Sequence, residues 1–305
     1  VRLSEAEIGI QGWVYPNVKA DCFIAMSPEE DEPAQVEEAY LSFLSLRPGL
    51  NAYVGRKHVA FGRANLLHNH SWPYVRPPLA LRNLVAEESL AGDGVEASYV
   101  IPTPTGYFAQ LDAGAWTGEG PGEASDLPDI MAGPGAGFAD RFYTTRLWAS
   151  HSPSEHSEVE LGGSCAWGAG PGAALEGDGR VQLTGVDLSF RHFGEGTQRT
   201  LLRAEHLWRR ERVDGSASTS RGYYVLGSYR PDKYSSWAAL YDWSAFPQAP
   251  EAHESALSLI YTRQFSEQYY LRLQVAHGDR PGDGAYDEAW LQWVWGVGPH
   301  THNLE

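Results

Sequence analysis

The sequence predicts an all-β protein, an antiparallel up-and-down transmembrane β-barrel of about sixteen strands in the intact protein, about fifteen of them in this chain. Three observations carry that prediction. Apolar and polar residues alternate with period two over stretches of about ten residues. The 3.6-residue period of helices is nearly absent. The connections between the stretches alternate between short and long.

Each stretch can be read in turn, bounded by clusters of Gly, Pro, Asp and Ser. The first four are SEAEIGIQGWV (4–14), VKADCFIAM (18–26), QVEEAYLSFLS (35–45) and NAYVGRKHVAFG (51–62). VEASYVIP (95–102), YFAQLDAGAW (107–116), DRFYTTRLWAS (140–150) and SEVELGGSCAWG (157–168) follow. Next come RVQLTGVDLSFRH (180–192), QRTLLRAEHLWRRE (198–211), RGYYVLGSY (221–229) and YSSWAALYDWS (234–244). The last are ESALSLIYTRQF (254–265), YYLRLQVAH (269–277) and YDEAWLQWVWGVG (286–298).

Tight links such as PN before Val18, LRPG before Leu50 and PDK before Tyr234 alternate with longer ones. The longer links are 27–34, 63–94, 117–139, 169–179, 212–220, 245–253 and 278–285. An outer-membrane barrel has this rhythm, with short periplasmic turns and longer external loops. A Greek-key sandwich has no reason for it. With the short turns placed in the periplasm, the first strand starts outside and the last ends inside. Closure by an even number of strands then calls for one more at the N-terminal edge, supplied by this protein or by another chain. Residues 1–305 read as a single barrel domain.

Composition sets further bounds. No run of about 18 apolar residues exists, so no helix of this chain spans a membrane. The formal net charge of −16 argues against a nucleic-acid partner, which wants clustered Lys and Arg. Cys22 and Cys165 sit beside aliphatic residues without metal-motif spacing, and read as two free thiols. VRLSEAEIGI lacks the charged and apolar regions of a secretory signal.

The segments LSEAEIGIQGWVYPNVKADCFIAM, VGRKHVAFGRANLLHNHSWPYVRPPLALRNL and GVEASYVIPTP resemble a group of bacterial outer-membrane barrels. That group is often labelled zinc-regulated TonB-dependent outer membrane receptor, or simply porin-like protein. LLRAEHLWRRE, RGYYVLGSY and WVWGVGPHTHN extend the likeness over nearly the whole chain. The resemblance implies a bacterial outer-membrane location and one further strand before the AEIGIQ segment. The chain departs from the group in reading His68-Asn69-His70 for His-Pro-His, in ending HNLE rather than on an aromatic, and in having no plug domain.

The polar face of the strands supplies the candidate lumen residues: Glu5, Glu7, Gln11, Glu38, Asp112, Glu158, Glu160, Asp187, Arg191, Arg203, Glu205, Asp242, Arg272 and Gln274. With few arginines expected to pair with them, the acids predict a negative interior that favours cations. The apolar and aromatic link at 63–92 is far longer than ordinary loops and is expected to fold inward as a constriction, with His68, His70, Arg76 and Arg82 at its narrowest point. His68 and His70 form an H-x-H pair that could hold a divalent metal, as could His300 and His302, yet each pair lacks a defined third ligand. The expectation is therefore no cofactor, with a metal at His68 and His70 as the alternative.

No P-loop, dinucleotide fingerprint or G-x-S-x-G elbow stands in the required context, so an enzyme is not expected. The leading reading is a passive channel for small hydrophilic, cationic solutes, in contact with lipid bilayer and lipopolysaccharide. The alternatives are a plugged or structural barrel that binds a partner through its external loops, and a soluble β-rich carbohydrate-binding protein. The oligomeric state is open.

Overall fold

The computed structural model describes residues 3–28, 34–86, 89–118, 137–170, 179–213, 215–266 and 268–298. Fifteen strands form one sheet in strict chain order. They are β1 (Ala6–Tyr15), β2 (Val18–Met26), β3 (Gln35–Arg47), β4 (Leu50–His58) and β5 (Ala91–Ile101). β6 (Tyr107–Thr117), β7 (Arg141–Ser154), β8 (Ser157–Ala169), β9 (Arg180–Phe193) and β10 (Arg199–Val213) follow. β11 (Ser216–Arg230), β12 (Ser235–Ala245), β13 (His253–Ser266), β14 (Tyr269–Arg280) and β15 (Gly284–Trp295) complete the sheet. A short helix, α1 (Leu79–Leu84), lies in the link between β4 and β5.

Every ladder is antiparallel. Among the described residues β1 pairs only with β2, and β15 only with β14. The two edge strands therefore run in the same direction, and one further strand between them would be antiparallel to both. The sheet curls enough for both edges to meet the same link: Glu7 of β1 reaches His68, and Glu288 of β15 reaches Arg76.

The face pattern is inverted relative to a water-soluble protein. Leu161, Leu257, Leu259, Leu291 and Trp293 are exposed, whereas Arg146, Asp187, Arg203, Glu205, Glu254 and Gln274 are almost wholly buried. The ladders explain why. Leu259 faces Ala239 and Val275 across its neighbours, while Ile260 one residue on faces Ala238 and Gln274. A one-residue change of register would exchange the two faces. An apolar exterior on an antiparallel sheet with its charges inside fits a bilayer and does not fit water.

Exposed aromatics gather toward the short-turn rim: Trp13, Tyr15, Tyr107, Tyr229, Trp237, Phe265 and Trp295. Trp237 packs on Tyr261 at 4.4 Å between ring centres, and Phe265 on Tyr269 at 4.8 Å. Toward the other end Tyr143 stacks on Trp167, and Tyr223 on Trp243. Two such bands are the girdles of a membrane barrel.

The structure moves several expected boundaries. The fourth strand was expected to run to Gly62, but the chain leaves the sheet after His58 and turns Val59 and Phe61 into the interior. Their alternation served burial in the lumen rather than pairing. The expected long link at 212–220 is a tight hairpin, because β10 and β11 pair outward to Val213 and Ser216. The link expected at 278–285 shrinks to 281–283 in the same way. Cys22 and Cys165 are free thiols. His300, His302 and the HNLE end lie outside the described residues.

A substitution separates lipid from water outside this wall. Leu259→Arg, at a position 59% exposed in the middle of β13, should destabilise the folded chain in vesicles by about 2–4 kcal/mol. A water-facing site would tolerate it within about 0.5 kcal/mol. Denaturant unfolding in lipid vesicles reads the difference.

Candidate functional site

Residues 59–86, with 89 and 90, leave the sheet between β4 and β5 and fill the interior. The two ends of this segment are closed by one backbone bond, Val59 N–H to the Leu90 carbonyl at 3.0 Å. Asn65 locks that closure: its amide nitrogen donates to the carbonyls of Val59 and Leu90, and its oxygen accepts from Leu90 N–H. Short 3₁₀ turns at Ala64–Leu66 and Asn69–Ser71 follow. Pro77 and Pro78 then set up α1, with the Pro78 carbonyl accepting from Leu81 and Arg82.

Apolar contact holds the segment in place. Phe61, Leu67, Trp72, Tyr74, Leu81 and Leu84 share one buried cluster with wall residues Phe142, Leu183, Leu207, Tyr224, Leu226 and Leu240. Helix α1 sits against β11 at Gly222, where an added Cβ would lie 2.9 Å from that of Ala80. A larger residue at 222 would push the helix off the wall.

Polar wall residues answer the segment's backbone. Gly62 N–H donates to Ser164 Oγ at 3.0 Å, and Arg63 and Ala64 N–H both donate to Glu205 Oε1 at 2.8 Å. Gly62 needs its freedom, since it has φ +60° and an added Cβ would lie 2.7 Å from Glu205 Oε2. Val75 and Arg76 N–H donate to Gln274 Oε1 at 2.7 and 3.1 Å, and Leu79 N–H to Asp242 Oδ2 at 3.3 Å. Arg272 donates to the Tyr74 carbonyl and Arg209 to that of Leu84. Tyr270 donates its hydroxyl proton to the His70 carbonyl.

The four expected constriction residues are committed to wall carboxylates. Arg76 pairs with Glu288 at 2.7 Å and Arg82 with Glu254 at 2.9 Å. His70 lies 3.6 Å from Glu7. His68, 5% exposed, faces Glu37 and Glu7 with Nδ1 at 3.1 and 3.2 Å, and Glu38 with Nε2 at 2.9 Å. Burial alone would lower its pKa. The hydrogen bonds its ring donates to Glu37, Glu38 and Glu7, with the charge of Glu38, outweigh that and push it up to about 11.

The remaining expected lumen residues lie on the inner face without meeting the segment as one group. Asp187 holds Arg146 through two bonds at 2.5 and 2.9 Å, both side chains buried. Arg191 bridges Glu158 and Glu160, and Glu160 also faces Arg63 at 3.6 Å. Arg203 donates to Ser189, and Asp112 accepts from Gln110. Glu5 accepts from Asn69, and Gln11 is half-buried on β1.

The expectation that the acids have few arginine partners is overturned. Arg63, Arg76, Arg82, Arg146, Arg191 and Arg280 all pair with inner carboxylates. Arg63, Arg76 and Arg82 come from the link and Arg146 reaches across a strand to Asp187, so spacing along the sequence did not reveal those pairs. Arg191 and Arg280, by contrast, sit on strands next to those of their acids. Asn65, Arg146, Arg209, Glu254 and His58 were also missed. Glu37 and His58 were within reach: counting back from the RPG turn of the β3–β4 hairpin brings them close, as the observed register Ala39 opposite Arg56 confirms.

Comparison with known proteins supports the architecture. No family model matches the chain. An uncharacterized protein of Aquifex aeolicus (strain VF5) is 28% identical over 199 residues, which cover 61% of this chain and 41% of that protein. The matched stretch thus spans less than half of that relative. Among solved structures, a loop-deletion mutant of the outer-membrane protein OmpT of Vibrio cholerae superposes with TM-score 0.60 at 11% identity, covering 95% of this chain and 89% of that one. An anion-selective porin of Comamonas acidovorans gives TM-score 0.59 at 12% identity over 95% and 84% of the two chains. The outer membrane channel DcaP of Acinetobacter baumannii gives 0.56 at 11% over 95% and 84%. Identities this low speak for the fold alone. That fold is the bacterial outer-membrane barrel shared by porins and channels, and the receptor label of the resembled group finds no support among these neighbours.

One wall residue tests how the segment is held. Gln274→Leu leaves the N–H groups of Val75 and Arg76 without their acceptor, and each unmet buried donor costs about 1–3 kcal/mol. Amide exchange at Val75 and Arg76 should quicken by at least tenfold, while exchange along β6 to β9 stays unchanged.

Proposed function

We propose that this barrel is an outer-membrane channel of porin type whose bore is set by residues 59–90, and that it passes small hydrophilic solutes without covalent chemistry. One observation carries the reading: the segment is bonded to β1, β3, β8, β10, β12, β13, β14 and β15, so it crosses the interior instead of lining one side. Anything that passes must go around it. Irregular backbone at this depth is tolerated only when buried in protein or facing a watery cavity, and the wall side chains meet that condition.

Cation preference within this proposal is modest. Ion pairing neutralises much of the wall, and the excess of acid lies with Glu5, Glu7, Glu37 and Glu38. A second reading, a barrel held shut by the segment, draws on the apolar contacts of Trp72, Leu81 and Leu84. The outer face meets lipid, and lipopolysaccharide on its external side, in either reading.

Planar-bilayer conductance tests both. The chain should show small stepwise openings with a weakly cation-directed reversal potential. Replacing 63–86 with a short Gly-Ser link should raise the conductance several-fold. Silence from the intact chain with openings from the variant would favour the shut barrel. Equal conductance from both would contradict any role for the segment in setting the bore.

A further inference from the structure

Where the inserted segment meets the first strands, four carboxylates and three imidazoles gather: Glu5, Glu7, Glu37 and Glu38 with His58, His68 and His70. Three subsets bring one ligand atom each within 4.8 Å of one another, and in Glu38, His58 and His68 all three residues are buried. The rings of His58 and His68 lie 4.7 Å apart between centres. Even with every imidazole protonated, the group is one positive charge short of neutral.

His58 supplies an independent sign. It is 7% exposed, directs Nε2 to Ser89 Oγ at 3.1 Å, and leaves Nδ1 buried without a hydrogen bond among the described residues. Buried imidazole nitrogens ordinarily find a partner. A histidine held at one ring nitrogen by a hydroxyl, with the other buried and unbonded, is arranged as a metal ligand. Glu38 is arranged likewise: Oε1 accepts from His58 N–H at 2.8 Å, which fixes the carboxylate, and Oε2 lies 2.9 Å from His68 Nε2. Two ligand atoms on one tetrahedral zinc sit about 3.3 Å apart, from metal–ligand distances of about 2.0–2.1 Å. The Glu38–His68 pair would open by a few tenths of an ångström to admit the ion, and His58 brings its ligand atom within 4.8 Å of both.

We propose that His58, His68 and Glu38 form a binding site for one divalent transition-metal ion of the zinc class. Two imidazoles and a carboxylate, with a fourth position open, suit zinc or cobalt better than calcium or magnesium, which want oxygen ligands. The ion would join β3, the end of β4 and the inserted segment, so it would fasten the segment where it leaves the wall. The inference does not depend on what the barrel passes.

The 305-residue chain folded in detergent and stripped with EDTA should bind one Zn2+ per chain by calorimetry. Co2+ should give the intense visible bands of a four- or five-coordinate site. His58→Gln, His68→Gln and Glu38→Gln should each weaken binding by at least about tenfold, and His277→Gln, an exposed histidine elsewhere, should leave it unchanged. Zn2+ should also slow protease cleavage within 59–90 relative to EDTA. If the ligand variants misfold, the cobalt spectrum of the unaltered chain decides. Absence of saturable binding, an octahedral cobalt spectrum, or full affinity in folded His58→Gln and His68→Gln would overturn the site and leave His68 as a salt-bridge clamp only.

Discussion

The structure turns on one constraint: a wall whose outer face is apolar has only its inner face for polar groups, and a segment placed inside must find its hydrogen bonds there. Residues 59–86 bring a long stretch of backbone into that interior, little of it helical. Glu205 meets two N–H groups, Gln274 two more and Asp242 another, while Arg272 and Arg209 cover carbonyls. The charged side chains are thus not simply a wetted lining. They stand in for the partner strand that the segment lacks.

Charge and packing divide the interior between them. Ion pairs such as Arg146–Asp187 are fully enclosed, where removing one partner is far more costly than removing both. Beside them, Trp72, Leu84, Phe142 and Leu207 form an apolar core of the kind a soluble domain has, here inside a membrane wall. The segment is therefore held by shape as well as by hydrogen bonds, and its position is a structural property of the barrel, not only a functional one.

The sheet was legible in the sequence because period-two alternation is a local signal repeated in every strand. One strand of the last group shows it: in YYLRLQVAH, Leu273 and Val275 are exposed and Arg272, Gln274 and Ala276 buried. Where that signal misled, the cause was local too. Val59 and Phe61 continue the alternation of β4, yet they belong to the segment's core. The interior was legible only as a roster of polar positions. Which wall acid meets a base of the segment depends on how the segment crosses the lumen, so Arg76 with Glu288 or Arg82 with Glu254 had no trace in spacing. The histidine cluster lay between these cases, since Glu37, Glu38 and His58 share a hairpin while His68 arrives from the segment.

The central claim, that the apolar outer face meets lipid while the inserted segment is packed within, is tested most directly by tryptophan quenching in vesicles of brominated lipid. Single-tryptophan variants would retain either Trp237, which is 59% exposed on the wall, or Trp72, which is 5% exposed within. The account predicts strong quenching of Trp237 by the lipid bromines, and little quenching of Trp72 by either bromines or aqueous acrylamide. Equal lipid quenching of the two, or a Trp72 open to acrylamide, would contradict it.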